Sequence, residues 1–208
     1  MRNSPDVHLA MSYIEIYNEK VCDLLGDKHK YQDVKITSTK TKEISIDGIT
    51  TLPLSDFTKF VEFFTLANEK RAVAKTGCNS ESSRSHAILT FQISMKVVQN
   101  GVATSKFSKI NLIDLAGSED NRRTGNDGQR FKESTKINSS LTVLKRVIKA
   151  VADKHKSIPY RESKLTRILA DSLGGNTHVS FQNLNNFYIT QADKLHPFGC
   201  LSVVLKSL

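Results

Sequence analysis

Residues 86–115 constrain the fold more than any other stretch. From Ala87 the chain alternates, with Ala87, Leu89, Phe91, Ile93, Met95 and Val97 on one side of a period of two, as a strand packed against a core on one face requires. Asn100-Gly101 follows, a pair suited to the positive φ values of a tight hairpin turn, and KFSKINLIDL returns as a second strand. A long antiparallel hairpin is predicted, and it delivers one carboxylate, Asp114, to the C-terminal end of its second strand.

Other elements gather around this hairpin. HLAMSYIEIYNE, rich in β-branched and aromatic residues and ending near Asn18, reads as a strand, and VCDLLG as a short helical turn closed by Gly26. VKIT and EISIDGIT are short β-like pieces, with Asp47-Gly48 as a turn signal. A helix is expected after Ser55 or Asp56, placing Phe57, Phe60, Val61, Phe64 and Leu66 on its apolar side. A second helix carries Ile137, Leu141, Leu144, Ile148 and Val151, with Lys145, Arg146 and Lys149 on its other side. A third runs from Ser163 to about Leu173 and stops at Gly174-Gly175. Strands with interspersed helices make the fold class α/β or α+β.

The chain has 208 residues, the size of one domain or part of one. No apolar run approaches the length of a bilayer span, and the N-terminal stretch lacks the pattern of a signal peptide. Cys22, Cys78 and Cys200 are odd in number and far apart, which fits reduced thiols rather than a disulfide frame or zinc site. A soluble intracellular protein is the expectation. Charge is more informative. Lys and Arg number 30 against 21 Asp and Glu, and residues 121–167 hold thirteen of the basic residues but only four of the acidic ones. The net charge of +9 therefore resides in one segment, which suits an acidic partner surface, although a solvated face explains the same charge equally well.

Two polar stretches can carry chemistry. NSESSRSH (79–86) offers hydroxyls to a phosphate or a hard cation and, at Arg84, a guanidinium for bidentate pairing; a serine-rich turn before a strand is the plainer alternative. DLAGSE (114–119) places an Asp at a strand end with a glycine just beyond, where nucleotidases hold magnesium and approach a terminal phosphate; an ordinary glycine turn with solvated acids fits the spacing too. Both suit a phosphate-bearing ligand, yet the phosphate-cradling GxxxxGK[ST] does not occur: none of the ten glycines is followed by lysine. The six histidines are scattered and form no metal-ligand spacing.

Five motifs in order, SYIEIYNEKVCDLL (12–25), NxxSSRSH (79–86), LIDLAGSE (112–119), ESTKINSSL (133–141) and IPYRESKLTRILADSLGGN (158–176), resemble the kinesin motor domain over about residues 7–178. SEDNRRTGNDGQRFKES is in addition similar to the Kid-type chromokinesins. The resemblance implies an incomplete P-loop nucleotidase fold of the kinesin type, a central mixed sheet flanked by helices, with the phosphate loop belonging N-terminal to SYIEIYNE. It makes residues 1–178 a partial motor domain and 179–208 a divergent, poorly ordered tail, since HVSFQNLNNFYITQADKLHPFGCLSVVLKSL matches none of the family's continuation. It further implies an open, apolar sheet edge beside the strand ending at Asp114, where the family's phosphate-loop strand stands. Ser139 and Lys145 depart from the lysine and glycine usual in the family.

Carried over to this sequence, the family's first switch is Asn79, Ser82, Ser83, Arg84, Ser85 and His86, with Ser83 towards magnesium. The second switch is Asp114, near magnesium through water, Gly117, whose N–H senses the terminal phosphate, and Glu119, which pairs with Arg84 and relays a proton from the attacking water; Asn138 joins the same network. Arg130, Lys132, Lys145, Arg161 and Lys164 face the acidic surface of tubulin. The implied cofactor is ATP or ADP with magnesium, and the implied partner the microtubule. The implied location is the cytoplasmic cytoskeleton, with the spindle or nucleus as finer readings. Lacking the cradle, the chain by itself is expected to be inactive, either a fragment of a microtubule-dependent ATPase or a non-catalytic microtubule-binding pseudo-motor. Nucleic-acid binding is the weakest reading, because only Phe131 and Tyr160 interrupt the basic segment as aromatics and no nucleic-acid module appears.

Overall fold

The hairpin forms as the alternation dictates. In this computed structural model, which describes residues 6–27, 30–39, 43–77, 85–99, 102–116, 129–174, 177–183, 186–188 and 200–206, strand β6 (His86–Gln99) pairs antiparallel with β7 (Val102–Leu115) from Ala87↔Asp114 to Gln99↔Val102. Strand β1 (Asp6–Tyr17) runs antiparallel along the other edge of β6, with Glu15 opposite Ala87. Opposed residues share a face. Tyr13, Leu89 and Leu112 therefore line one side with Glu15, Ala87 and Asp114, while Ile14, Ile88 and Ile113 line the other.

VCDLLG is not a helical turn. Asn18 and Glu19 both take positive φ (52° and 60°), forming a two-residue hairpin turn that sends the chain back along β1 as β2 (Lys20–Asp23). Gly26 then sits where the chain presses on Asp23: a Cβ there would lie 2.8 Å from Asp23 Oδ2. Strands β3 (Ile36–Ser38) and β4 (Ile44–Ile46) form a separate two-stranded sheet followed by Gly48 at φ 76°, and β5 (Leu52–Leu54) joins β1.

Helix α1 (Phe57–Gly77) starts where expected, with Asp56 Oδ1 accepting the Lys59 N–H at 2.9 Å as a side-chain cap. Its buried stripe differs from the expected one. Phe60, Phe64 and Ala67 meet Tyr13, Leu54, Leu89 and Phe91, whereas Phe57, Val61 and Leu66 are exposed. Only one side of a helix can touch a sheet, and the spacing 60, 64, 67 follows that side more closely than the run of phenylalanines does. On the opposite face of the sheet lies α2 (Gln129–Ala152), whose Leu141, Val143, Leu144 and Val147 pack on Ile14, Ile88, Ile113 and Leu115, with Lys145, Arg146 and Lys149 exposed. The expected third helix is two short ones, α3 (Lys164–Ile168) and α4 (Ala170–Leu173), joined at Leu169 (φ −91°, ψ 6°). Leu165, Ile168, Leu169 and Leu173, spaced as one helix face, all reach the core.

The sheet has eight strands among the described residues, with β5 on β1 and the remainder in the order β2-β1-β6-β7-β10-β8-β9. Here one expectation is corrected. The edge of β7 is not open. Strand β10 (Cys200–Lys206) runs parallel to both β7 and β8 (Thr177–Asn183), and β9 (Asn186–Tyr188) closes the series antiparallel to β8. CLSVVLK is an apolar, β-branched run, and lying between two strands satisfies its backbone on both edges.

Candidate functional site

Antiparallel pairing puts the start of β6 beside the end of β7, so the two polar stretches of the sequence converge. Ser85 and His86 come from one, Asp114 and Ala116 from the other. Ser85 is buried, and its Oγ–H donates to Glu15 Oε1 at 2.6 Å; Tyr31 donates its hydroxyl to Glu15 Oε2. Arg71 of α1 donates from Nε to the same Glu15 Oε1 at 2.9 Å and from Nη1 to Asp114 Oδ2 at 3.2 Å. Side-chain exposures of 4% for Glu15, 11% for Arg71 and 38% for Asp114 grade this row from core to surface. Burial alone would pull the Arg71 pKa down, but the Glu15 hydrogen bond and charge, with Tyr13 and Asp114, more than offset it and leave it raised. Its Nη2 is buried without a hydrogen-bond partner among the described residues, a loss of about 1–3 kcal/mol for such a donor.

His86 forms a second link. Its Nδ1 accepts the Ala116 N–H at 3.0 Å, so Nε2 carries the proton and donates to Ser140 Oγ of α2 at 2.9 Å. Burial pushes the imidazole pKa down to about 4, which keeps the ring neutral and able to accept at Nδ1. One side chain thereby joins the start of β6, the residue after β7 and the basic helix.

Of the site residues read from sequence, Ser85, His86 and Asp114 are brought together. Asn79, Ser82, Ser83, Arg84, Gly117 and Glu119 lie outside the described residues. Arg130, Lys132 and Asn138 stand on α2 at positions whose side chains are likewise outside them. Lys145 and Arg161 are exposed. Lys164 is not spread on the surface with them: its Nζ donates to Asp33 and, at 2.9 Å, to the Val34 carbonyl, while its backbone N–H donates to Glu19 Oε2 at 2.6 Å. Arg146 forms a bidentate pair with Glu162, at 2.6 and 3.0 Å. The sequence reading misses Glu15 and Arg71. Their signal is a charge on a buried stripe: Arg71 continues the spacing 60, 64, 67, and Glu15 interrupts the inward side of SYIEIY.

The family description "Kinesin motor domain" matches residues 1–183. This chain belongs to the kinesin family. The kinesin match thus extends past residue 178 to the end of β8. Its relatives include "Kinesin-like protein KIF22-B" of Xenopus laevis, 50% identical over 170 residues that cover 82% of this chain and 26% of that protein. "Kinesin-like protein KIF22" of Danio rerio is 48% identical over 201 residues, covering 96% and 31%. Among solved structures, "Structure of a fast kinesin: Implications for ATPase mechanism and interactions with microtubules" aligns with TM-score 0.72 and 32% identity over 99% of this chain and 51% of that one. "C-terminal motor and motor homology domain of Kar3Vik1 fused to a synthetic heterodimeric coiled coil" aligns with TM-score 0.72 and 29% identity over 97% and 47%. The kinesin chain spans about a quarter to a third of the length of these curated relatives. The mixed sheet with helices on both faces is the fold of the family. No helix among the described residues is long and apolar enough to cross a membrane.

Proposed function

We propose that this kinesin chain is the switch-bearing part of a microtubule-dependent ATPase motor. The observation that carries the proposal is the His86 link, because it ties the strand ends bearing Ser85 and Asp114 directly to the basic helix α2. A change at the strand ends and a change at a partner bound to α2 then act on one element, which is what coupling between two sites requires. In this reading Ser83 and Asp114 would hold magnesium, the Asp through water. Gly117 would offer its N–H to the terminal phosphate, and Glu119 would pair with Arg84 and serve as the proton acceptor for the attacking water. Arg130, Lys132, Lys145, Arg161 and Lys164 belong to the tubulin-facing side. Resemblance to the Kid-type chromokinesins points to movement of chromosomes on the spindle.

The residues fit magnesium better than they fit the triphosphate. Glu15, Arg71 and Asp114 together leave one negative charge uncompensated, and Asp114 is partly exposed. Magnesium takes one or two carboxylates together with water and phosphate, and Asp114 would supply one such carboxylate. The triphosphate needs the N–H cradle and lysine of GxxxxGK[ST], which do not occur in these 208 residues. Bound Mg·ATP supplies the phosphoryl group that is transferred. What these residues contribute is its positioning and the proton path.

Phosphate release by the purified 208-residue chain, with and without microtubules, tests both halves of the proposal. No turnover above a blank is expected from the chain alone, while the longer motor containing it turns over ATP with microtubule stimulation. Stimulated turnover by the 208 residues would refute the first expectation, and none by the longer protein the second. A second reading, a non-catalytic microtubule-binding piece, is favoured by the concentration of net charge in residues 121–167. It predicts salt-sensitive cosedimentation with microtubules that ATP does not alter.

A further inference from the structure

We infer that Arg71, anchored by Glu15, is a positioning residue for Asp114. The inference rests on the reading above, in which Asp114 faces the magnesium of a bound nucleotide. Three features support it. Glu15 is almost fully buried and gathers three donors, from Ser85, Tyr31 and Arg71. Its place on β1 is fixed by pairing along both edges of that strand. Arg71 uses different nitrogens for its two carboxylates, Nε for Glu15 and Nη1 for Asp114, and the guanidinium plane makes the two contacts one rigid bracket. Among the described residues, keeping both contacts leaves Nη2 buried without an acceptor, so the bracket is held although that donor is unsatisfied by them.

A buried Arg–Glu pair by itself does little that packed apolar side chains would not do. What the pair adds is reach. It extends from the core to the half-exposed Asp114 carboxylate and holds Oδ2, while no described residue engages the other oxygen. The bracket also joins the two polar stretches, since Ser85 hydrogen-bonds the same Glu15 oxygen that holds Arg71. Fixing the direction of a carboxylate in advance is how a scaffold shortens the search for reactive geometry.

The test is the rotamer of Asp114, read in the 208-residue chain from three-bond NMR couplings to its Cγ. A single staggered well is expected in the unsubstituted chain. Averaged couplings are expected in Arg71→Lys, which keeps the charge but cannot bracket two carboxylates, and also in Glu15→Gln, although Glu15 does not touch Asp114. That remote effect separates positioning from a merely structural pair. Averaging already present in the unsubstituted chain, or a single rotamer kept in either folded variant, overturns the inference. If Glu15→Gln fails to fold, Arg71→Lys decides. In the longer motor, Arg71→Lys should lower kcat about tenfold or more while KM for Mg·ATP changes less than about threefold; an unchanged kcat would overturn the role. A longer motor that hydrolyses no ATP would refute the motor reading, and the rotamer would still decide this one.

Discussion

The His86 ring accepts the backbone N–H of Ala116 at 3.0 Å, so a residue at the start of β6 fixes the backbone immediately before Gly117. The bond needs Nδ1 unprotonated, and the ring's other nitrogen is committed to Ser140. The site is therefore built around a histidine that must stay neutral.

That requirement gives stability a pH dependence. The folded pKa is about 4 against 6.5 for an ordinary imidazole, so between those values the unfolded chain binds more protons. The contribution of His86 is full above about pH 6.5, declines as pH falls, and is lost below about pH 4, with an upper size of about 3 kcal/mol. Urea midpoints measured from pH 7.5 to 4.5 should fall in the unsubstituted chain. In His86→Gln they should start lower and fall less steeply, and equal slopes would remove His86 as the cause.

Asp171 is a second polar residue on which packing depends. Its carboxylate accepts the Ile44 N–H at 3.0 Å and pairs with Lys109 of β7, joining α4, β4 and the central sheet. Removing Asp171 strands the half-buried Lys109 and the Ile44 N–H, so Asp171→Ala should cost about 1–3 kcal/mol. Lys109→Met with Asp171→Leu, which removes both charges, should cost much less than Asp171→Ala alone. If the double variant is the less stable one, the stranded-charge argument is wrong.

Gly26→Ala tests a steric argument. The added Cβ would meet Asp23 Oδ2 at 2.8 Å, and that carboxylate already accepts the N–H groups of Thr50 at 2.7 Å and Leu25 at 3.0 Å. The carboxylate cannot move without giving up those bonds, so a loss of about 1–3 kcal/mol is expected by urea denaturation. A change below about 0.5 kcal/mol, the size of an ordinary surface substitution, would mean the loop yields freely.

Local pattern made much of this molecule legible. The alternation from Ala87 to Val97 and the Asn100-Gly101 pair specify β6 and β7, and Asp56 announces the start of α1. What sequence obscured has physical reasons. Ala67 and Arg71 carry no apolar signal, so the phenylalanines of α1 drew the stripe towards Phe57 and Val61, which are exposed. The hairpin at Asn18-Glu19 was hidden because glutamate seldom takes positive φ; here its carboxylate accepts the Lys164 N–H at the start of α3. The pairing of β10 with β7 and β8 joins segments far apart in the chain, which periodicity does not record. The motifs name Ser85, His86 and Asp114, but the bracket behind them depends on contacts between β1, α1 and β7 that no local pattern encodes.

Three basic residues named together from sequence should behave differently when reversed. Lys145 and Arg161 are exposed, so Lys145→Glu and Arg161→Glu should leave the unfolding free energy within about 0.5 kcal/mol and weaken microtubule cosedimentation, most at low salt. Lys164 is held by the Val34 carbonyl and by Asp33, beside the Glu19 carboxylate that accepts its N–H. Asp33 is largely exposed, so that ion pair is itself worth little. Lys164→Glu, however, would press a new carboxylate against a carbonyl and two acids, with an expected loss of about 1–2 kcal/mol. The discriminating variant is Lys164→Gln, which avoids the repulsion. If it lowers microtubule affinity as far as Arg161→Glu does while stability holds, Lys164 acts at the microtubule surface despite its internal bonds; if affinity is kept, its work is to fasten α3 to the β1–β2 hairpin.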